Sequence, residues 1–153
     1  MSEVAIVDVV VRKAELADSA ALASLMCELG YETRTAEMEM RLEPIIKDSS
    51  YRTFVAITGG KVCGMIGTFC YYSYEHNDMG GRIIALVVAD GLRRRGIGGE
   101  LVAAAEQDFA QRNIMRVSLS TRFARESAHT FYENLGYTRT GFRFTKNLSV
   151  LAD

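Results

Sequence analysis

The sequence predicts an α/β protein, a single domain over 1–153 built on one mixed sheet with helices on both faces. Three observations predict it. An apolar run after Arg82, too short for a buried helix, is followed by a Gly/Arg-rich turn and then by Ile97, Leu101, Ala105 and Phe109 at helical spacing, which reads as inner strand, turn and helix. Gly59-Gly60 separates two strand-like runs and marks a hairpin. The chain has 153 residues, 48% of them hydrophobic, enough for one core that buries roughly two-thirds of the unfolded surface.

Residues 4–12 are rich in Val and Ile and read as the first strand. Ala17-Asp18-Ser19 offers a helix N-cap before Ala21, Leu22, Leu25, Met26 and Leu29, with Gly30 as C-cap. Thr35 opens a second helix through Met38, Met40, Leu42 and Ile45, which Pro44 is expected to kink or end. Residues 51–58 and 61–72 form the hairpin strands. Residues 73–81 are polar, carry Glu75, His76 and Asp78 with two glycines, and read as a mobile loop. After the central helix, 115–120 make a strand, 126–135 a helix capped by Gly136, and 137–148 one or two terminal strands. The order is β-α-α-β-β-β-α-β-α-β, without internal repeat, linker or low-complexity segment.

Composition excludes several functions. Eighteen Lys and Arg against nineteen Asp and Glu leave a net charge of −1, which argues against nonspecific binding to nucleic acid or to an anionic membrane. Cys27, Cys63 and Cys70 are odd in number, lack C-x-x-C spacing and sit in apolar runs, so they read as buried reduced thiols and metal binding is not expected. The N-terminus shows no signal-peptide pattern and no apolar run has membrane-spanning length, so the expected location is cytoplasmic.

Chemistry concentrates at the turn. Gly96, Gly98 and Gly99 let successive backbone N–H groups crowd the positive end of a helix, and Arg93, Arg94 and Arg95 add fixed charge, so the turn suits a diphosphate. A dinucleotide fingerprint needs a third glycine where Leu101 stands and an acidic residue near 116–120, and a Walker loop needs Lys followed by Ser or Thr; neither pattern is present.

Arg93-Arg94-Arg95-Gly96-Ile97-Gly98 resembles the acyl-CoA-binding motif R/Q-x-x-G-x-G/A of the GCN5-related N-acetyltransferases. Some thirty residues on, Ala128-His-Thr-Phe-Tyr-Glu-Asn-Leu-Gly-Tyr137 resembles the second family signature, a helix ending in Phe-Tyr-x-x-Leu-Gly-Tyr/Phe, in the expected order. The resemblance covers 4–148. It implies that the fourth and fifth strands pair in parallel at their N-terminal parts and then splay to admit a pantetheine arm. It further implies acetyl-CoA as cofactor, with Arg94 to Gly99 cradling the diphosphate, Ile97 pinning the turn, the backbone N–H groups of Leu86 and Val88 facing the thioester, and Val87 between them in the same cofactor-binding stretch. Tyr132 is the implied acid for the departing thiolate, since a phenol of pKa near 10 stays protonated at neutral pH. Arg125 stands where many relatives place an Asn that contacts the cofactor.

The acceptor side is less legible. Tyr31 and Glu32 link the helix pair that covers the acceptor pocket in the family. Relatives use a carboxylate early in the fourth strand as base, where this chain reads Arg82-Ile-Ile-Ala85, so Glu75, His76 and Asp78 are the upstream candidates. The expected activity is acetyl transfer to a primary amine of a small molecule or peptide by direct attack on the thioester. A noncatalytic acyl-CoA sensor and an interaction protein with a basic patch are the alternatives. The apolar, aromatic stretch 137–144 suggests a homodimer.

Overall fold

In a computed structural model, residues 8–121 and 126–148 are described. They fall into two compact units, Met1–Leu119 and Ser120–Asp153. The first unit holds a five-stranded sheet in the order β1 to β5: β1 Val10–Lys13, β2 Tyr51–Thr58, β3 Lys61–Tyr72, β4 Met79–Val88 and β5 Arg116–Leu119. Neighbours are antiparallel except β4 and β5, which run parallel from Gly80↔Arg116 to Ile83↔Leu119. The described pairing of β4 with β5 ends at Ile83↔Leu119.

Helices cover both faces. On one lie α1 Ser19–Leu29 and α2 Thr35–Lys47, whose Leu22, Leu25, Met38 and Leu42 pack with Val55, Met65 and Val87 of the sheet. On the other lies α3 Ile97–Gln111, and Ile97, Leu101, Ala105 and Phe109 are all at most 1% exposed, as their four-residue spacing predicts. Gly64 lets α3 approach β3: a Cβ there would lie 3.1 Å from Leu101 Cδ1 and 3.5 Å from Ile97 Cγ2. Gly30 closes α1 in the left-handed conformation at φ 109°.

Several expectations are corrected. Asp18 does not cap α1. Its carboxylate turns back to the Glu15 N–H at 2.7 Å across a 3₁₀ turn and takes a two-pronged ion pair from Arg12 at 2.8 and 2.9 Å. The Arg12 guanidinium holds the Asp18 carboxyl below its usual range. Helix α2 runs through Pro44 to Lys47, because a proline in the last turn removes one hydrogen bond and leaves φ helical. The first strand starts at Val10, with 4–7 outside the described residues. Cys27 is exposed, while Cys63 and Cys70 are buried free thiols.

Strand β4 begins at Met79, inside the expected loop, and takes Gly80 and Gly81 with it. Each glycine is roofed by an aromatic ring: a Cβ on Gly80 would lie 2.5 Å from Tyr71 Cζ, one on Gly81 2.7 Å from Phe109 Cε1. Rings filling the space of absent side chains is what makes glycine tolerable in this strand. In the second unit, α4 Glu126–Asn134 ends at Gly136, φ 94°, with the Tyr137 N–H returning to the Tyr132 carbonyl at 3.0 Å. The expected terminal strands are not formed, and 137–148 has no regular structure. A strand needs a hydrogen-bonding edge, and among the described residues of its own unit the regular element is a helix, α4.

Candidate active site

Strand β4 carries the first part of the site. The Ala89 N–H donates to the Cys63 carbonyl at 2.7 Å. Since antiparallel residues alternate in the direction of their N–H and C=O groups, Ala85, Val87 and Ala89 turn theirs toward β3, and Leu86 and Val88 turn theirs to the open edge. Arg93 Nε donates to the Val88 carbonyl at 3.3 Å, on the side this alternation requires. Leu86 and Val88 therefore turn their backbone N–H groups to the side of β4 away from β3, beyond the last described pair with β5. Val87, between them, has its side chain buried in the core beneath α1 and α2.

The turn into α3 carries the second part. Its start is tied by Asp90 N–H to Glu28 Oε1 of α1 at 2.9 Å and Leu92 N–H to the Ala89 carbonyl at 3.1 Å. Gly91, Arg94 and Gly96 then take left-handed φ of 84°, 65° and 81°. Such alternation curls N–H groups around a point and builds an anion-binding concavity at a helix N-terminus. The first bond into the helix is Glu100 N–H to the Gly96 carbonyl at 3.0 Å, so the N–H groups of Ile97, Gly98 and Gly99 stand ahead of the helix's own bonding at its positive end. Arg93, Arg94 and Arg95 are exposed around it, and Ile97, 1% exposed, anchors it. Gly96 needs its positive φ; Gly98 and Gly99 lie in the first helical turn, where glycine leaves backbone uncovered. Arg125 lies outside the described residues.

The third part is a cavity of about 160 Å³ between α1, α2 and the sheet, lined by Met26, Met38, Leu42 and Met65 and bordered by Ile84 and Ala85. It meets β4 at a bulge: Gly67 pairs with Ala85 and Thr68 with Ile83, so Ile84 is an extra residue. Both Ile84 Cγ1 and Ala85 Cβ lie 3.7 Å from where a Gly67 Cβ would be, and Ile84 remains 49% exposed. Sequence reading missed this bulge and the cavity's aromatic rim at Tyr51, since neither has a local signature. A more open depression of about 300 Å³ between Leu16, Ala20, Thr35 and Glu39 borders no residue of β4.

The expected acceptor residues are not brought together. Tyr31 and Glu32 follow α1 at the C-terminal end of β4, near the Glu28–Asp90 contact, whereas Glu75 and His76 precede its N-terminal end. Ten residues at about 3.3 Å each separate those ends. Glu75 and His76 are exposed and donate their N–H groups to Ser73 Oγ at 3.1 and 3.0 Å. Asp78 is paired with Arg116 at 2.7 Å, which lowers its pKa from the ordinary carboxylate value and makes it a poorer base.

In the second unit Tyr132 stands edge-on to Phe131 and Tyr137, with ring centroids 5.1 and 6.0 Å away. Burial raises its phenol pKa and keeps the hydroxyl protonated. His129 Nδ1 lies 2.9 Å from an Arg139 guanidinium nitrogen, which donates to it, so this nitrogen serves as acceptor. Among the described residues no cluster of His, Cys, Asp or Glu has metal-binding geometry, and no helix is long and apolar enough to cross a membrane.

Residues 19–137 match the profile of the acetyltransferase (GNAT) family. The chain is 34% identical over 143 residues to an aminoalkylphosphonate N-acetyltransferase of Salmonella typhimurium, with 90% of each chain covered. Among solved structures it resembles a GNAT family acetyltransferase of Staphylococcus aureus at TM-score 0.79 and 26% identity, covering 92% of this chain and 98% of that one. An aminoglycoside N-acetyltransferase in complex with CoA shares the fold at TM-score 0.82 and 14% identity, covering 94% and 97%.

Proposed function

The chain belongs to the acetyltransferase (GNAT) family, and on that premise we propose that it moves an acetyl group from acetyl-CoA to the primary amine of a small molecule, within a single catalytic domain. One observation carries the cofactor assignment: the helix-start N–H groups of Ile97, Gly98 and Gly99, set beside three exposed arginines at the start of α3. Phosphate oxygens are acceptors of the number and charge such a ring suits. Arg94 to Gly99 form the cradle in this reading, and Arg93 braces it through Val88.

Acetyl-CoA, when bound, supplies the acetyl group as a thioester. The chain's own groups then have separable tasks. The outward N–H groups of Leu86 and Val88 are donors for the oxygen that gains charge as the amine attacks. The apolar cavity at Ile84 and Ala85 excludes water and leaves the amine poorly solvated, which favours its neutral, nucleophilic form. Tyr132 gives a proton to the departing thiolate, a role supported by the burial that keeps it protonated. Among the described residues no carboxylate lines the cavity, so in this reading the amine loses its proton to water or arrives neutral.

An aminoalkylphosphonate, the substrate for which the Salmonella relative is named, is one acceptor of the size and class this reading allows. A noncatalytic sensor is not favoured. The reading extends to a cytoplasmic homodimer, for which the 94% and 93% exposure of Phe142 and Phe144 within their unit is the support. Thiol release across a panel of primary amines tests the activity, and calorimetric titration with CoA tests the cradle separately. CoA binding without turnover of any amine would replace the enzyme with the sensor.

A further inference from the structure

We propose that Gly67 is the specificity-determining residue of the acceptor cavity: the side chain it lacks is the space in which the aliphatic chain carrying the acceptor amine lies. The inference rests on the acetyl-transfer reading and adds to it the residue that fits the acceptor's carbon skeleton.

The four glycines of the described strands differ in what a side chain would meet. A Cβ on Gly64 would lie 3.1 Å from Leu101 Cδ1, one on Gly80 2.5 Å from Tyr71 Cζ and one on Gly81 2.7 Å from Phe109 Cε1, so packing resists a side chain at each. Gly67 is different. A Cβ there would sit at ordinary contact distance, 3.7 Å from Ala85 Cβ and Ile84 Cγ1 and 3.9 Å from Met65 Cε, and its φ lies outside the left-handed region. Alanine at this position would remove the entropy that glycine adds to the unfolded chain and would fill empty space, so folding alone favours a methyl group. A strand glycine that neither packing nor φ requires marks the close approach of a ligand.

The space over Gly67 is the floor of the cavity of about 160 Å³. Register sets it there. On the sheet face under α1 and α2, Val55, Met65 and Val87 form one row across β2, β3 and β4, each at most 5% exposed. The next row is Thr53, Gly67 and Ala85, and beyond it stand the rings of Tyr51 and Phe69, centroids 4.9 Å apart. A row of small residues between rows of large ones leaves a trough, roofed by Met26, Met38 and Leu42. Arg41 and Arg52 stand at its border; the rest of its lining is mostly thioether and hydrocarbon, on which a methylene chain packs. Ala85 directly precedes Leu86, whose N–H faces the thioester oxygen in the proposed reaction, so the trough opens beside the reacting carbon.

The test uses the full chain saturated with CoA. Butylamine is titrated while the methyl resonances of Met26, Met38 and Met65 are followed by NMR, which reads occupancy without turnover, and kcat/KM is compared for ethylamine, butylamine and hexylamine. In the wild type butylamine should shift these methyl signals. Gly67→Ala should weaken that binding and lower kcat/KM for butylamine and hexylamine about 10- to 100-fold, mainly through KM, with a smaller loss for ethylamine and with CoA affinity kept. Its urea midpoint should equal or exceed that of the wild type. Adding Met65→Leu, which withdraws the Cε nearest the new methyl group, should restore part of the butylamine rate. The proposal is overturned if butylamine leaves the methionine signals unmoved, if Gly67→Ala lowers all three amines alike or none, or if it lowers the urea midpoint. Turnover of amines with unmoved methionine signals would sustain acetyl transfer and overturn the role of Gly67. Methyl shifts that Gly67→Ala abolishes, without turnover of any amine, would sustain that role and overturn the acetyl-transfer reading instead.

Discussion

Arg93 reaches back across the turn to the last residue of β4, its Nε 3.3 Å from the Val88 carbonyl oxygen, and so ties the mouth of the open strand edge to the head of α3. This contact separates Arg93 from Arg94 and Arg95, whose side chains make no such local bond among the described residues. Arg95→Ala should therefore weaken CoA binding by about 10-fold, the low end for an exposed charge-assisted hydrogen bond. Arg93→Ala should move the CoA affinity less and the position of the strand end more, read as faster amide exchange at Val88 and Ala89. Equal losses of affinity from both would show that the turn acts only through summed charge.

Tyr132 is tested by removing its hydroxyl alone. Burial raises its pKa above that of a free phenol, so the protonated, proton-donating form persists through neutral pH and past about pH 10. Tyr132→Phe should lower kcat by about 100-fold with CoA affinity kept, and wild-type kcat should show no alkaline fall below about pH 10 arising from this group. Retention of wild-type kcat by the variant, with chemistry rate-limiting, would reduce Tyr132 to packing.

The Arg12–Asp18 pair makes stability depend on acid. Asp18 is 8% exposed and its pKa is lowered chiefly by the Arg12 hydrogen bond, so its contribution is fully present above the unfolded value near about 3.9 and is lost as pH falls through the lower folded value. Asp18→Asn should cost about 1–3 kcal/mol at pH 7 by urea denaturation. The gap between wild type and variant should close below about pH 4. A gap that is constant with pH would mean that the carboxylate's charge contributes nothing.

Gly80 and Gly81 give a paired steric prediction. Gly81→Ala forces a Cβ to 2.7 Å from the ring of Phe109, which is 1% exposed and has nowhere to move, and should cost about 1–3 kcal/mol. Gly80→Ala meets Tyr71, which is half-buried and can swing outward, so the cost should be smaller. Adding Phe109→Leu should recover part of the Gly81→Ala loss. Equal urea midpoints for the two alanine variants would contradict this account.

Local patterns carried much of the fold. The four-residue spacing of Ile97, Leu101, Ala105 and Phe109 specified a helix and its buried face together, because one stripe of side chains does both jobs. Gly59-Gly60 and Gly30 marked a turn and a cap through positive φ, which glycine adopts without a Cβ clash. The Gly/Arg turn was legible for the same reason, since Gly91 and Gly96 take positive φ there. Gly80 and Gly81 misled, because their tolerance in a strand depends on rings from Tyr71 and Phe109, supplied by other elements. The stretch 137–148 misled because its strand-like composition says nothing about whether an edge is there to pair with.

By itself the sequence determined what short-range chemistry can encode: which stretches coil, which extend, where the chain turns, and where a helix start gathers N–H groups and arginines. The tertiary structure alone decided which side chains share a surface. One unpaired residue, Ile84, shifts the alternation of β4 and brings Arg82 onto the same face as Ala85. The physical reason is that a strand's period of two is reset by any bulge. Whether one forms depends on the pairing of two strands and the packing around them, which no single strand's residues specify.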